Sequence, residues 1–519
     1  VADSIRHPAT ATPDPLRWHF RIMGLVLLAL LTAYGFRCVE RGRYEPPEAG
    51  QSSEQARKRR HRGTDFTAYY SAGEAVRTGG DVYTDWPKST TPFRPYLYPP
   101  MFAIFPMAPL TLLPHNAALA VFYALNVVLL LVSLGLLKRM LWQPPRPGRS
   151  VPFWQRPEVG LFGAVLCCGR FFDANMSVGN ANVIVLFLLV LGLWGVARKG
   201  AAGGVAGGMA VALATVFKVA PGLFGLYFAW SRRGWAMVGG AAGLLLFLWL
   251  APGMALGFEA NATALAACKR YLLGHAGGAG SYAPGVTPQL ETQGKGTQPA
   301  AKPPAETVPV AAAARDSEDN PRAYGISLRG TFQKLFSETV ALNHAGPGED
   351  HSVNILSLEV AEATQLASFV GGALLVLCVL LTLPRGAREG PWGPALSWGL
   401  LAVTMLLVSP LTRKAHGVVL VVPAAALIAM LQQEILGGLA HKVAWFALGL
   451  LVVVGIFTSP DVIGDEASAI LHAMGCFTWT FLALYGALAL ALWTAYAEAQ
   501  PGSGARCKQS FRIDPLMIV

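Results

Sequence analysis

The sequence predicts an all-helical polytopic membrane protein of about twelve crossings. Three observations carry this. Of 519 residues, 53% are hydrophobic and only 14% are charged, far from the balance of a soluble domain. Apolar runs of about twenty residues, the length that spans a bilayer as a helix, recur through most of the chain. Lysine and arginine collect between the runs, mostly in alternate loops, as cytoplasmic loops require. In such a chain a formal charge of +11 reflects loops that hold orientation, and no nucleic-acid partner is expected. The 7 cysteines are odd in number, and Cys167, Cys168, Cys378 and Cys476 lie within apolar runs. Neither a disulfide framework nor a metal site is expected from them. The first apolar run lacks a small-residue cleavage site and is long enough to span, so it reads as a membrane helix rather than a signal peptide.

Residues 1–21 form a cytoplasmic segment whose Arg6, Arg17 and Arg21 precede the first span, near 22–36. An N-terminal membrane module then covers 22–256, and its first loop, 37–114, falls on the outer side. The basic run Arg57, Lys58, Arg59, Arg60 and Arg62 is the main exception to the charge rule. It reads either as a solvated linker or as a site for anionic headgroups. Spans follow near 115–137, 159–172 and 183–196. Between Lys199 and Arg232 only about thirty residues separate two inside-type boundaries, whereas two full crossings need about forty. The segment must therefore form two short helices or a re-entrant hairpin, broken at FKVAP, where Lys218 precedes Pro221. Backbone broken in the membrane is tolerated only where it is buried in protein or lines a cavity. Lys218 is then a functional candidate or a lysine that snorkels to the interface.

After a span near 235–256 comes a long outer loop, 257–363. Within it residues 274–315 have no apolar period and read as disordered and without chemistry. Next comes AYGISLRGTFQKLF, whose apolar spacing fits a helix lying at the membrane surface. A C-terminal module over 364–497 supplies spans near 364–383, 394–411, 416–433, 441–459 and 467–497. Residues 498–519 form a cytoplasmic tail.

The stretch from Asp65 to Pro114 is too polar and aromatic for a connector. Asp65 opens it in front of a small amphipathic segment, Gly79 and Gly80 make a turn, and Phe93, Tyr96 and Tyr98 crowd against Pro99 and Pro100. Asp65 is either a helix cap or an active-site carboxylate. The ordered set DF-x-x-YYSA, G-x-DVY, LYPP and P-L-x-LLP resembles the first loop of glycosyltransferase family 87. Three later stretches add to the resemblance. GNAN (179–182) is similar to the family's G-Q-x-N turn with Asn180 in place of glutamine, and FKVAP is similar to its K-x-x-P break. VSPLTRKAH (408–416) is similar to its S-P-x-S-W-x-H-H stretch, with Arg413 for the tryptophan and only His416 of the histidine pair. ISLRG keeps Ser327, Leu328 and Gly330 of an N-Q-S-L-x-G segment without the Asn-Gln pair.

The resemblance implies a GT-C-like fold in a bacterial plasma (inner) membrane, with the active site facing the outer side. It implies a polyprenyl-phosphate sugar as donor, a glycolipid or glycan acceptor, membrane lipids as surroundings, and no cofactor. Mannosyl and arabinofuranosyl transfer are the implied activities. On the expected topology Asp65, the YPP loop, Asn180, Lys218, Arg329 and His416 share the outer level.

Sugar transfer needs a base to take the proton of a weakly nucleophilic hydroxyl, and Asp65 is the candidate. A single carboxylate suffices for inversion, whereas a covalent intermediate needs a second one opposite. Asp81 and Asp85 lie in turn sequence, where bonding to the backbone is their ordinary use. The departing phosphate gains charge, which fixed cations stabilise. Lys218, Arg329, Arg413 and Lys414 are the candidates, with His416 as a hydrogen-bond donor. Tyr69, Tyr98, Pro99, Pro100, Asn180 and Asn182 are candidate pocket residues, and no metal is expected. A lipid or solute transporter, or flippase, would also use broken helices and intramembrane cations. No repeat relates the two halves here, and the long outer loop suits rocking halves poorly.

Overall fold

The structure is a computed structural model that describes residues 17–43, 64–83, 96–142, 151–198, 200–276, 325–337, 353–384 and 392–498. The basic run at 57–62, nearly all of the 274–315 insert, and the 498–519 tail apart from its first residue lie outside the described residues. The described chain is helical, and its only strand-like pairing is a bridge between Ser337 and Leu358.

The helices are α1 (Arg17–Gly42), α2 (Asp65–Thr78), α3 (Pro100–Leu110), α4 (His115–Leu141), α5 (Pro157–Cys167) and α6 (Gly169–Met176). Next come α7 (Asn182–Ala197), α8 (Ala201–Phe217), α9 (Gly222–Trp230), α10 (Gly234–Leu256) and α11 (Phe258–Ala276). The C-terminal part holds α12 (Leu328–Phe336), α13 (Val360–Thr382), α14 (Gly393–Val408) and α15 (Lys414–Gln432). It closes with α16 (Gly438–Phe457), α17 (Asp465–Ala473) and α18 (Cys476–Glu498).

Among the described residues 7 helices are long and apolar enough to cross a membrane: α1, α4, α10, α13, α15, α16 and α18. The pair α5 and α6, bent by 63°, would make an eighth. The rest of the expected twelve fall on shorter elements. At 17 and 9 residues, α8 and α9 are each below the ~20 residues of a full crossing. Between them the chain is extended at Lys218 (φ −149°, ψ 126°). The cause is Pro221, which has no N–H to continue the ladder and whose ring would strike the carbonyl of Phe217. The interruption expected at FKVAP is therefore present.

α8 lies between α7 and α10 at close range, because small residues face both neighbours. A methyl group on Gly208 would sit 2.1 Å from the Ala236 carbonyl oxygen, and one on Gly239 would sit 2.1 Å from that of Val205. The sandwich holds the C-terminal end of α8, and with it Lys218, in one place.

Two expectations are corrected. The span expected over 467–497 is two helices, α17 and α18, separated at Gly475 (φ +80°). There a side chain would meet Thr331 Cγ2 at 2.3 Å, so the break makes room for α12. That helix, expected at the membrane surface, is instead packed into the protein. Its apolar Leu328 and Phe332 are buried, and so are Thr331, Gln333 and Lys334 of its polar face. Thr331 meets Thr478, and Gln333 donates to Thr364. Apolar spacing located the helix, but its polar side has partners on α13 and α18 that give it no reason to face water. Within the long loop α11 runs as helix to Ala276, three residues into the stretch expected to be disordered.

Candidate active site

The 65–114 stretch folds as α2, then an aromatic turn, then α3. The Phe66 N–H donates to the Val178 carbonyl at 3.3 Å, which ties the start of α2 to the turn between α6 and α7. That turn needs Gly179. Its φ is +60°, and a Cβ there would lie 2.7 Å from the Phe66 Cβ, so any larger residue would push α2 away. The capping position of α2 belongs to Thr64, and Asp65 is the first helical residue. Its carboxylate turns to the neighbouring turn, where Asn180 Nδ2 donates to Oδ2 at 2.5 Å.

Asn180 is a bridge. Its Oδ1 accepts from Lys218 Nζ at 3.0 Å, so one amide has the carboxylate at one end and the ammonium at the other. Lys218 donates a second time, to Asn182 Oδ1 at 2.5 Å, and Asn182 in turn donates from Nδ2 to the Ala415 carbonyl at 2.9 Å. Lys218 is only 9% exposed, and these two amide oxygens compensate its burial. Asp65 and Arg413 both lie within electrostatic reach of it. Three segments distant in sequence, 65, 180–182 and 413–416, thus meet at the α8–α9 break.

The aromatic turn roofs this point. Tyr69 donates to the Tyr98 hydroxyl at 3.2 Å, Tyr83 to the Tyr98 carbonyl at 2.6 Å, and Tyr96 to the Pro99 carbonyl at 2.9 Å. Pro99 and Pro100 are buried and start α3. Phe102 meets Phe217 edge-on at 4.9 Å between centroids, and Lys218 Nζ stands 5.5 Å from the centre of the Tyr98 ring. Burial pushes the Tyr69 and Tyr96 phenols well up, Tyr69 further through Tyr98 and Asp65. Both stay protonated and act as donors.

On the far side the Arg413 N–H donates to His416 Nδ1 at 2.9 Å. The proton of a neutral imidazole is then on Nε2, which makes that nitrogen a donor. The Ile326 N–H donates to the Thr412 carbonyl at 2.9 Å. This sets the start of α12, which carries half-buried Arg329, beside the 412–416 segment.

Lys414 departs from expectation. Its ammonium turns away from the Asp65 group and lies 3.3 Å from His472 Nδ1, with the Phe477 ring centre at 6.0 Å. The reason is local, since Asn182 anchors the Ala415 carbonyl and successive side chains of this turn leave in different directions. Around it gathers a second charged group that sequence reasoning missed. Asp173 on α6 accepts from Arg37 of α1 at 2.9 Å and from Arg170 at 3.3 Å. The available signal was Arg170 and Asp173 themselves, charges at the end of an apolar run.

The Asp65 group thus holds a carboxylate and an ammonium joined through one amide, with the Arg413 guanidinium and the His416 imidazole within electrostatic reach of Lys218. A set of this kind can take a proton at one end and stabilise a developing anion at the other. The model of glycosyltransferase family 87 matches residues 96–279, a stretch that holds Tyr98, Asn180, Asn182 and Lys218. The family of that match is the one the sequence resembles. No curated protein and no solved structure matches the chain.

Proposed function

We propose that the protein is a membrane glycosyltransferase that takes mannose or arabinofuranose from a polyprenyl phosphate. It transfers the sugar, with inversion, to a hydroxyl of a lipid- or polysaccharide-linked acceptor at the outer face of the plasma membrane. The observation that carries the reading is the Asn180 bridge, which holds Asp65 and Lys218 at the two ends of one amide. A direct ion pair would neutralise both groups. The bridge keeps each anchored and leaves them apart, as a base and an anion-stabilising cation must be.

In this reading the acceptor O–H gives its proton to the Asp65 carboxylate as its oxygen attacks the anomeric carbon. The bond from that carbon to the phosphate oxygen breaks, and the electron pair leaves with the phosphate. Lys218, Arg413 and the His416 Nε2–H stabilise the charge that develops there. One carboxylate suffices, because attack is direct and opposite the leaving group. Tyr98 and the YPP turn form the wall against which the sugar lies.

The test is donor consumption. Detergent-purified protein, given polyprenyl-phosphate mannose or arabinofuranose with a panel of lipid-linked acceptors, should release polyprenyl phosphate without any gradient. If it leaves every donor intact yet moves lipid between leaflets of sealed vesicles, the transferase reading falls and the flippase reading replaces it.

A further inference from the structure

The charged group around Lys414 has more positive charge than its own carboxylates balance. Lys334 is 1% exposed. Its ammonium donates to the Gly325 carbonyl at 2.8 Å and lies 3.5 Å from that of His472, two neutral oxygens. Lys414 meets His472 from the other side, through Nδ1. Among the described residues neither ammonium forms an ion pair. Arg170 acts electrostatically on both Lys414 and His472, and its Nε is buried without a hydrogen-bond partner. Asp173 is shared between Arg170 and Arg37, and the remaining carboxylate, Asp461, is 3.6 Å from Arg37 with its side chain 70% exposed. Four cations therefore face two carboxylates, one of them largely in solvent. Burial pushes Lys334 down to about 8, which still leaves it mostly charged at neutral pH. A buried ammonium without a counter-charge is costly, and a ligand anion would remove that cost.

The position limits which anion. Lys414 is the first residue of one candidate span, Arg37 lies near the end of another, and Cys476, beside Phe477, begins a third. The group thus sits where spans begin and end, at the level of lipid headgroups. We propose that Lys414, Lys334 and Arg170, with His472 between the two lysines, form a second anion site that binds the phosphate of a lipid headgroup. This site is separate from the Asp65–Lys218 centre and lies across the 413–416 segment from it. Lys414 and Arg170 contact the phosphate, while Lys334 acts from behind. The Phe477 ring, stacked on His472 at 5.1 Å between centroids, closes the apolar side.

Delipidated full-length protein in detergent is titrated with dioctanoyl phosphatidic acid, inorganic phosphate or uncharged dioctanoylglycerol, with the melting temperature read by tryptophan fluorescence. Phosphatidic acid should raise the melting temperature saturably and dioctanoylglycerol should not. Lys414→Gln should weaken the apparent affinity about tenfold or more, as loss of a charged hydrogen bond implies. Lys334→Met should weaken it too, and Lys442→Gln, at an exposed position, should leave it unchanged. If inorganic phosphate alone reproduces the shift, with the same sensitivity to Lys414→Gln, the anion site stands and free phosphate is its ligand. The proposal is overturned if no anion raises the melting temperature. It is equally overturned if Lys414→Gln leaves the response intact while Lys218→Gln abolishes it. Donor consumption is scored separately, so loss of transfer with the lipid response retained counts only against the transferase reading.

Discussion

Replacing Asp65 by asparagine separates a base from a structural carboxylate, because the two roles move different quantities. The amide fits the same space, and its oxygen still accepts from Asn180 Nδ2, now at 2.5 Å from the carboxylate. What disappears is the negative charge. A charge-assisted bond becomes a neutral one, and the favourable charge at the start of α2 is lost, since Asp65 is its first residue. The first change costs on the order of 1 kcal/mol and the second about 0.3–1 kcal/mol. The protein should therefore remain folded, with a melting temperature lowered by a few degrees. The effect on rate is larger, because an amide cannot take the acceptor's proton. General-base assistance is worth roughly a hundredfold to ten-thousandfold, or about 3–5 kcal/mol in the barrier. The assay is single-turnover release of polyprenyl phosphate from labelled donor, with donor binding and melting temperature measured on the same preparation. Turnover within about threefold of wild type would refute the base assignment. So would a loss of turnover that merely tracks unfolding.

Lys218→Met removes the donor to both Asn180 and Asn182 and the cation beside the departing phosphate. Turnover should fall about a hundredfold, and an unchanged rate in folded variant protein would take Lys218 out of the chemistry. Asn180→Ala keeps both charged groups but cuts the bridge between them, so single-turnover rate should fall with donor affinity little changed. An equal loss of both would make the bridge a binding element instead. Gly179→Ala places a Cβ at a φ of +60° and 2.7 Å from Phe66. The strain is on the order of 1–3 kcal/mol, so the melting temperature should drop, and unchanged stability would mean that α2 does not need this close approach. His472 lies on α17, outside the candidate spans, where burial and then Lys414 push its imidazole down to about 3. Below its ordinary value near 6.5 the unfolded chain takes up a proton that the folded protein refuses. Its contribution is therefore full above that pH and is lost as pH falls toward 3, by at most about 1.4 kcal/mol per unit. Equilibrium stability across pH 7 to 4 should decline less steeply in His472→Gln, and identical slopes would exclude the titration.

Composition and spacing alone were enough for the class of fold and most of the parts. Apolar runs are read by composition, because each full span must satisfy lipid along its own length, and their positions are close to those of α1, α4, α10, α13, α15 and α16. The break at Lys218 was legible too, since a proline inside an apolar run interrupts the helix wherever it is placed. Asp65, Asn180, Asn182, Lys218 and His416 could be chosen from their residue types and motifs.

How those side chains pair follows from the packing of distant segments. The bridging orientation of Asn180 depends on Asp65, 115 positions away, and on Lys218, 38 positions away. No local pattern encodes that. Lys414 and Arg413 are neighbours in sequence, and which of the two charged groups each long side chain joins is settled by the elements packed on either side. The same holds for α12. Its spacing marks one apolar face, but the polar face is buried because α13 and α18 supply Thr364 and Thr478 as partners. The Gly475 break is of this kind as well. A glycine in an apolar run is weak evidence for a turn, and it became one because the side chain of Thr331 occupies the place where a Cβ would go. Apolar runs answer to the membrane, a solvent that is the same for every protein, whereas side-chain pairing answers to neighbours that exist only after the chain has folded.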